Sequence, residues 1–201
     1  MFSCQNLTVD DPKNPGNRLI YDLSFCSSSG AILYLSGANG IVKTSVLRAI
    51  AGLSKPSSGE ITFKGKNLAD FKLKPLHYIG HKLGIKQNLS IWDNLSFWAD
   101  SLEAREGLQA AIIYLGLQDI LEEDCKLLSF NTCKKVAIAR LMLSKAQIWL
   151  LDELDTDLDE QDRKLLSNLI NIKASSGGII ISTTSDAKED YQTLNLLDYV
   201  K

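Results

Sequence analysis

Long apolar runs are missing from this sequence. Nothing in its 201 residues approaches the roughly 20-residue stretch that crosses a bilayer as a helix. The opening "MFSCQNLTVDD" lacks the basic-then-apolar order of a signal peptide, so any membrane role is expected to come through a partner. An excess of charge is missing too. The 22 basic and 24 acidic side chains leave a net charge of −2, which gives no overall basic field, and nucleic acid is not an expected partner. Cys4, Cys26, Cys125 and Cys133 form no C-x-x-C and keep no paired rhythm. They are expected to be reduced thiols, buried or incidental, as fits a cytoplasmic chain. His77 and His81 stand without a carboxylate or cysteine cluster and are read as polar loop residues, not as a metal site. Internal repeats and low-complexity linkers are also absent. What remains is an ordinary globular composition, 45% apolar and 23% charged, expected to form a single domain over residues 1–201 with a sizeable core.

Strand and helix patterns alternate. "RLIYDLSF" places Leu19, Tyr21, Leu23 and Phe25 at period two, a strand. "AILYLS" (31–36) is a continuous apolar run that stops at Gly37, as a buried strand feeding a loop would. Val46, Leu47, Ile50 and Leu53 then keep helical spacing, which predicts a helix from Thr44 to near Gly52. Pro56 and Gly59 mark a turn into a short strand at Ile61 and Phe63 that ends at Gly65. Residues 85–130 read as a helical subdomain, through "SIWDNLSFWADSL" and "GLQAAIIYLGL". "NTCKKVAIARLML" reads as an amphipathic helix, with Lys134 and Lys135 facing solvent. "QIWLLDE" is a buried strand ending in two carboxylates. A surface helix follows, with Leu165, Leu166, Leu169 and Ile170 on one face, and "GGIIISTT" is the last buried strand. Alternation of this kind predicts an α/β fold with a parallel sheet covered on both faces.

Between the second strand and the first helix stands "GANGIVKTS", residues 37–45. It has the outline of a phosphate-binding loop, G-x-x-x-x-G-K-[ST], with Val42 where glycine is expected. Backbone N–H groups and a helix N-terminus would together favour an anion. Gly37 and Gly40 would permit the tight path, Lys43 would reach the β- and γ-phosphates, and Thr44 would offer its hydroxyl to Mg²⁺. The bland alternative is a Gly-rich strand-to-helix turn. Asp152 and Glu153 supply the chemistry that such a loop lacks alone: one carboxylate for Mg²⁺ and one to polarise an attacking water. Acidic strand ends are common, so it is the order of the two motifs that carries the reading.

The full order is "GANGIVKTS", "AGLSKPSSGEITFKG", "LLSFNTCKKVAIARLML", "AQIWLLDELDTDLDEQD" and "GGIIISTTS". It resembles the nucleotide-binding subunit of an ABC transporter across essentially the whole chain. Within that superfamily, "YIGHKLGIKQNLSIWDNLSFW" (78–98) and "ISTT" look most like the haem-exporter ATP-binding proteins of cytochrome c biogenesis, the CcmA family. The resemblance implies a P-loop ABC-type ATPase with a RecA-like parallel sheet, an antiparallel β segment and a helical signature subdomain. ATP and Mg²⁺ would be its cofactors. Residues Gly37, Ala38, Asn39, Gly40, Ile41, Val42, Lys43, Thr44 and Ser45 would bind nucleotide. Thr44 and Asp152 would hold Mg²⁺, and Glu153 would be catalytic. Leu128, Ser129, Phe130, Asn131 and Thr132 stand at the L-S-G-G-Q signature and would act on the nucleotide of a second copy. Lys82, Asp159 and Ser185 fall at switch and loop positions. The implied assembly is a head-to-tail homodimer bound to an integral membrane permease, on the cytoplasmic side of a bacterial inner membrane.

Departures from the family pattern temper that picture. Val42 forced to positive φ would store about 1–3 kcal/mol of strain; at ordinary angles only its bulk beside the phosphates would matter. Asn131 replaces a glycine, Lys82 a glutamine and Ser185 a histidine. No aromatic stands where the superfamily often stacks adenine; Pro15 is near that place, and Tyr21 lies inside the strand pattern. The expectation is an Mg-ATP-binding subunit that hydrolyses slowly. The alternatives are a degenerate, non-hydrolysing or scaffolding subunit of the same membrane complex, or a soluble phosphate-loop enzyme such as a small-molecule kinase. "SKPSSGEITFKG" and "LLSFN" count against the last.

Overall fold

A computed structural model describes residues 1–14, 16–37, 39–184 and 191–200. Pro15, Ala38 and Ser185, singled out above, lie outside the described residues. The elements in chain order are β1 (Phe2–Asp10), β2 (Arg18–Ser27), β3 (Ile32–Ser36), α1 (Gly40–Ile50), β4 (Ser58–Phe63), β5 (Lys66–Asn67), β6 (Leu76–Ile79), α2 (Ile91–Ser101), α3 (Leu108–Tyr114), α4 (Phe130–Leu143), β7 (Ile148–Asp152), α5 (Glu160–Ser175), β8 (Ile179–Thr183) and β9 (Gln192–Asn195). Short 3-10 turns join several of them.

The chain forms two compact units. One comprises Met1–Tyr78, Ala146–Glu153 and Lys173–Lys201. It carries an antiparallel sheet in the order β2-β1-β4-β5 and a second sheet in the order β6-β7-β8-β3-β9. In the second sheet β3 runs parallel to both β8 and β9, and β7 parallel to β8. Helix α1 packs between the sheets. Its Val46, Leu47 and Ile50 meet Leu33, Leu150 and Ile181 of the parallel sheet and Phe2, Leu7 and Leu23 of the antiparallel one in one apolar cluster. Burying side chains of this size is worth about 1.5–3 kcal/mol each, so the helix that carries the phosphate loop is clamped on two sides.

The other unit comprises Ile79–Lys145 and Leu154–Ile172. Helices α2, α3 and α4 bury Ile91 and Leu95, Ala111 and Ile112, and Val136 and Leu141. Ser90 caps α2 by accepting the Asp93 N–H at 3.0 Å, and Ser129 caps α4 by accepting the Thr132 N–H at 3.1 Å. The buried Asn94 amide pins the preceding loop, donating to Lys86 O at 3.0 Å and accepting the Lys86 N–H at 2.8 Å.

Several expectations change. Helix α1 starts at Gly40, not Thr44, because Asn39 caps it. Strand β2 does not alternate cleanly. Asp22 takes φ 53°, the register against β1 shifts, and Ile20 joins Leu23 as the buried pair while Leu19 and Tyr21 are half-buried. Helix α4 is buried on nearly all sides instead of amphipathic: Lys134 is 4% exposed and donates to Thr156 O, while Lys135 pairs with Asp162 at 3.5 Å. His77 is a buried residue of β6, not a loop residue. Strand β8 is the last buried strand, as expected, and a further strand, β9, polar and half-exposed, adds a parallel edge beside β3. Among the described residues no helix is long and apolar enough to cross a membrane.

All four cysteines are free, and only Cys26 is exposed. Burial pushes the Cys4 thiol up to about 12 and the Cys125 thiol up to about 11, and it raises Cys133. Since thiolate is the reactive form, native protein should release one equivalent of colour from a disulfide reagent such as DTNB, with the other three appearing only in denaturant. More than one fast equivalent contradicts the packing.

Candidate nucleotide site

Strand β3 ends at Ser36, and the chain turns through Gly37 at φ 92°. Glycine is required there. A Cβ would lie 1.9 Å from the Asn195 side-chain oxygen, at a conformation that L-residues rarely take. Asn39 then caps α1, its Oδ1 accepting the Val42 N–H at 3.1 Å. Gly40 opens the helix, and a Cβ there would meet nothing within 4 Å. The first turn holds no acidic side chain and instead carries Lys43. A cation at the positive end of a helix disfavours the isolated helix, but it adds to the field that an anionic ligand meets.

Val42 resolves the question its sequence position raised. It lies inside α1, is absent from the described residues with positive φ, and is 4% exposed within the core cluster. The expected strain is not there, and the bulk is directed into the core. Ser45 is likewise buried, while Ile41 is exposed.

Strand β7 delivers Asp152 at its end, buried in three hydroxyl contacts. Thr44 Oγ1 donates to Asp152 Oδ2 at 2.8 Å, Tyr78 OH to the same oxygen at 3.4 Å, and Thr183 Oγ1 to Asp152 Oδ1 at 2.9 Å. Burial first, and then the Asp152 charge, hold the Tyr78 phenol well above its ordinary range, so it stays a donor at any physiological pH. Thr44 and Asp152 thus bring together a hydroxyl and a carboxylate oxygen, the hard donors that Mg²⁺ takes alongside phosphate and water. The donor set fits that ion.

Glu153 leaves the strand with φ 50°, its N–H held by Thr183 Oγ1 at 2.9 Å. A non-glycine residue in the left-handed region is a local cost that surrounding bonds must offset; here it turns the side chain back toward α1. Its Oε1 meets Lys43 Nζ at 2.6 Å, and Lys43 also donates to the Thr184 carbonyl at 2.8 Å. Lys43, Thr44, Asp152 and Glu153 therefore converge at one helix N-terminus.

Signature residues belong to the other unit. Ser129 caps α4, and its hydroxyl shares a 2.8 Å contact with that of Thr132. Leu128 is half-buried. Phe130 is 47% exposed, with the Lys134 ammonium over its ring and the His81 ring 6.5 Å away. Asn131 donates to Asp159 and Asp162. Lys82 is exposed.

The ABC transporter family model matches residues 20–156, and curated relatives align over most of the chain. The chain belongs to the CcmA family of ABC transporter ATP-binding proteins. The relative from Rickettsia bellii, called cytochrome c biogenesis ATP-binding export protein CcmA, is 43% identical over 89% of this chain and 92% of its own. That from Rickettsia typhi, with the same name, is 45% identical over 90% of each chain. Among solved structures, an ATP-binding protein of an ABC transporter from Pyrococcus furiosus superposes with a TM-score of 0.83 at 22% identity, covering 100% of this chain and 99% of its own. A dimeric ATP-binding cassette solved with ADP and phosphate gives 0.79 at 18% identity over 92% and 88%. At such identities these two speak for the fold alone. This ATPase is an ATP-binding subunit of a transporter complex, and such a subunit works with a membrane partner.

Sequence reasoning had no view of Tyr78 or Thr183 around Asp152, or of the Thr184 carbonyl behind Lys43. The paired threonines of "ISTT" were the one available signal. Restoring glycine at Val42→Gly should destabilise the ATPase by about 3 kcal/mol, from a lost buried side chain plus glycine in a helix. Turnover per folded molecule should hardly change, and thermal denaturation beside an ATPase assay reads both. Thr183→Val removes a donor to Asp152 and an acceptor for the Glu153 N–H at equal volume. It should cost about 2 kcal/mol and lower turnover; unchanged values in denaturant titration and assay would count against this bonding.

Proposed function

We propose that this ATPase binds Mg-ATP at the α1 N-terminus as one half of a head-to-tail homodimer. It sits peripherally on the cytoplasmic side of a bacterial inner membrane, docked on an integral permease, and its hydrolysis of ATP drives haem export for cytochrome c biogenesis. We further propose that residues 1–201 act as one ABC domain with a helical subdomain at about residues 85–130, a reading that rests on the sequence pattern. The printed name of the CcmA relatives supports the export process, and the dimeric neighbour supports pairing of two cassettes.

The observation that carries the reading is the convergence of Lys43, Thr44, Asp152 and Glu153. Phosphates would be bound by the N–H groups of the α1 first turn and by Lys43. Thr44 and Asp152 would hold Mg²⁺, which neutralises phosphate charge when bound. Lys43 has one ammonium to share, so phosphate competes with Glu153 for it. Glu153, once it no longer faces Lys43, would orient and polarise the attacking water. Leu128, Ser129, Phe130, Asn131 and Thr132 would complete the nucleotide site of the second copy, and Asp159 would keep its loop position in its own chain. Lys82 and Ser185 would stand where the γ-phosphate is sensed.

The test is steady-state ATPase activity of the purified chain beside Glu153→Gln, with ATP affinity measured in parallel. Loss of a positioned base should lower turnover by about 10²–10⁴-fold, while affinity rises because Lys43 no longer faces a carboxylate. ATP binding without turnover in the natural chain sinks the hydrolytic reading and leaves a scaffolding subunit. Co-purification with an integral membrane protein tests the permease.

A further inference from the structure

We propose that Asp162 is a positioning residue that latches the signature turn to the Asp159 loop of the same chain, through Asn131. The functional half of this rests on the ATPase reading above.

Asp159 opens helix α5, its Oδ1 accepting the Asp162 N–H at 2.8 Å. An acid at the third helical position commonly folds back on its own cap. Asp162 does something else. It is 4% exposed, and its two oxygens face helix α4: Oδ2 accepts from Asn131 Nδ2 at 3.0 Å, and Oδ1 lies 3.5 Å from Lys135 Nζ. The same Asn131 amide also donates to Asp159 Oδ2 at 3.3 Å. One NH₂ group therefore bridges two carboxylates that would otherwise repel, with Lys135 supplying the counter-charge. The amide orientation is fixed by chemistry, since carboxylates need a donor, and Asn131 Oδ1 points to a buried spot with no hydrogen-bond partner among the described residues.

Lys134 adds a third tether, donating to the Thr156 carbonyl. Positions 131, 134 and 135 are spaced i, i+3, i+4, so one face of α4 grips the segment from Thr156 to Asp162. The residue at the latch stands where the family has a glycine, and a glycine there could make neither bond. Asn131 thus exchanges close backbone approach for a rigid link. The signature turn, expected to face the second copy, and the Asp159 loop move as one piece.

Asn131→Ala and Asp162→Asn, with the swap Asn131→Asp/Asp162→Asn, test this by two readouts. Hydrogen exchange should speed up across residues 156–163 in both single variants, with the rest of α4 unaffected. Turnover should fall about three- to tenfold, the scale of one ordinary hydrogen bond, since the latch acts on the reaction only through the signature turn, while ATP affinity stays within about twofold. The swap restores an amide–carboxylate pair between 131 and 162 but sets a carboxylate against Asp159 in place of a donor, so it should recover only part of both. Unchanged exchange in Asn131→Ala overturns the latch. Faster exchange with unaltered turnover overturns the positioning role. A natural chain with no turnover overturns the ATPase reading, and exchange alone then decides whether the latch exists.

Discussion

The nucleotide half of this ATPase hangs on one buried carboxylate. Asp152 is out of water at the end of β7, and a charged oxygen in that position is tolerated only where donors surround it. The three donors come from distant places in the chain: Thr44 on α1, Tyr78 on β6 and Thr183 on β8. Each bond fixes a different element relative to the strand end. Thr183 goes further, because its hydroxyl also accepts the Glu153 N–H and so holds the backbone in the conformation that turns Glu153 toward Lys43. Stability and site geometry share this same set of bonds.

That sharing explains what the sequence displayed and what it concealed. The phosphate loop and the Asp-Glu strand end were legible because their chemistry is local: a glycine, a lysine and two acids in order after apolar runs. The buried strands β3, β7 and β8 announced themselves as continuous apolar stretches for the same reason. Tyr78 and Thr183 were not legible, since nothing near them in sequence says that they meet a carboxylate 74 and 31 residues away. Strand β9 is polar and half-exposed, so it has no apolar pattern to read. Lys134 and Lys135 were misjudged because a lysine looks solvated until the acceptor that buries it is known.

Val42 is the sharper lesson. A departure from a motif amounts to damage only if the motif's glycine needs glycine angles or if the new bulk faces the phosphates. In this chain the position is a helical residue, and the conformational burden is carried earlier, by Gly37, with Asn39 completing the turn. A β-branched side chain is acceptable in a helix at little cost, and here it fills the core cluster. The same logic applies to Asn131, whose extra atoms find carboxylate partners within its own unit. A substitution is a defect only where the new side chain has nowhere to go.

The Lys43–Glu153 pair gives the remaining step. Only the lysine is buried in this pair, 5% exposed against 31% for the Glu153 side chain, so it is Lys43 that depends on an anionic partner, with the Thr184 carbonyl as its other acceptor. A nucleotide that takes Lys43 must therefore offer more than bare attraction. Glu153, with part of its side chain exposed, can turn to water, and the attacking water is then within its reach as a proton donor. In the proposed cycle binding and activation would be coupled through charge balance: the carboxylate faces the lysine before nucleotide arrives and would face the attacking water once phosphate has taken Lys43. Any conformational change that ATP drives must draw on this difference in interaction between the two states, since a ligand with no such difference shifts nothing.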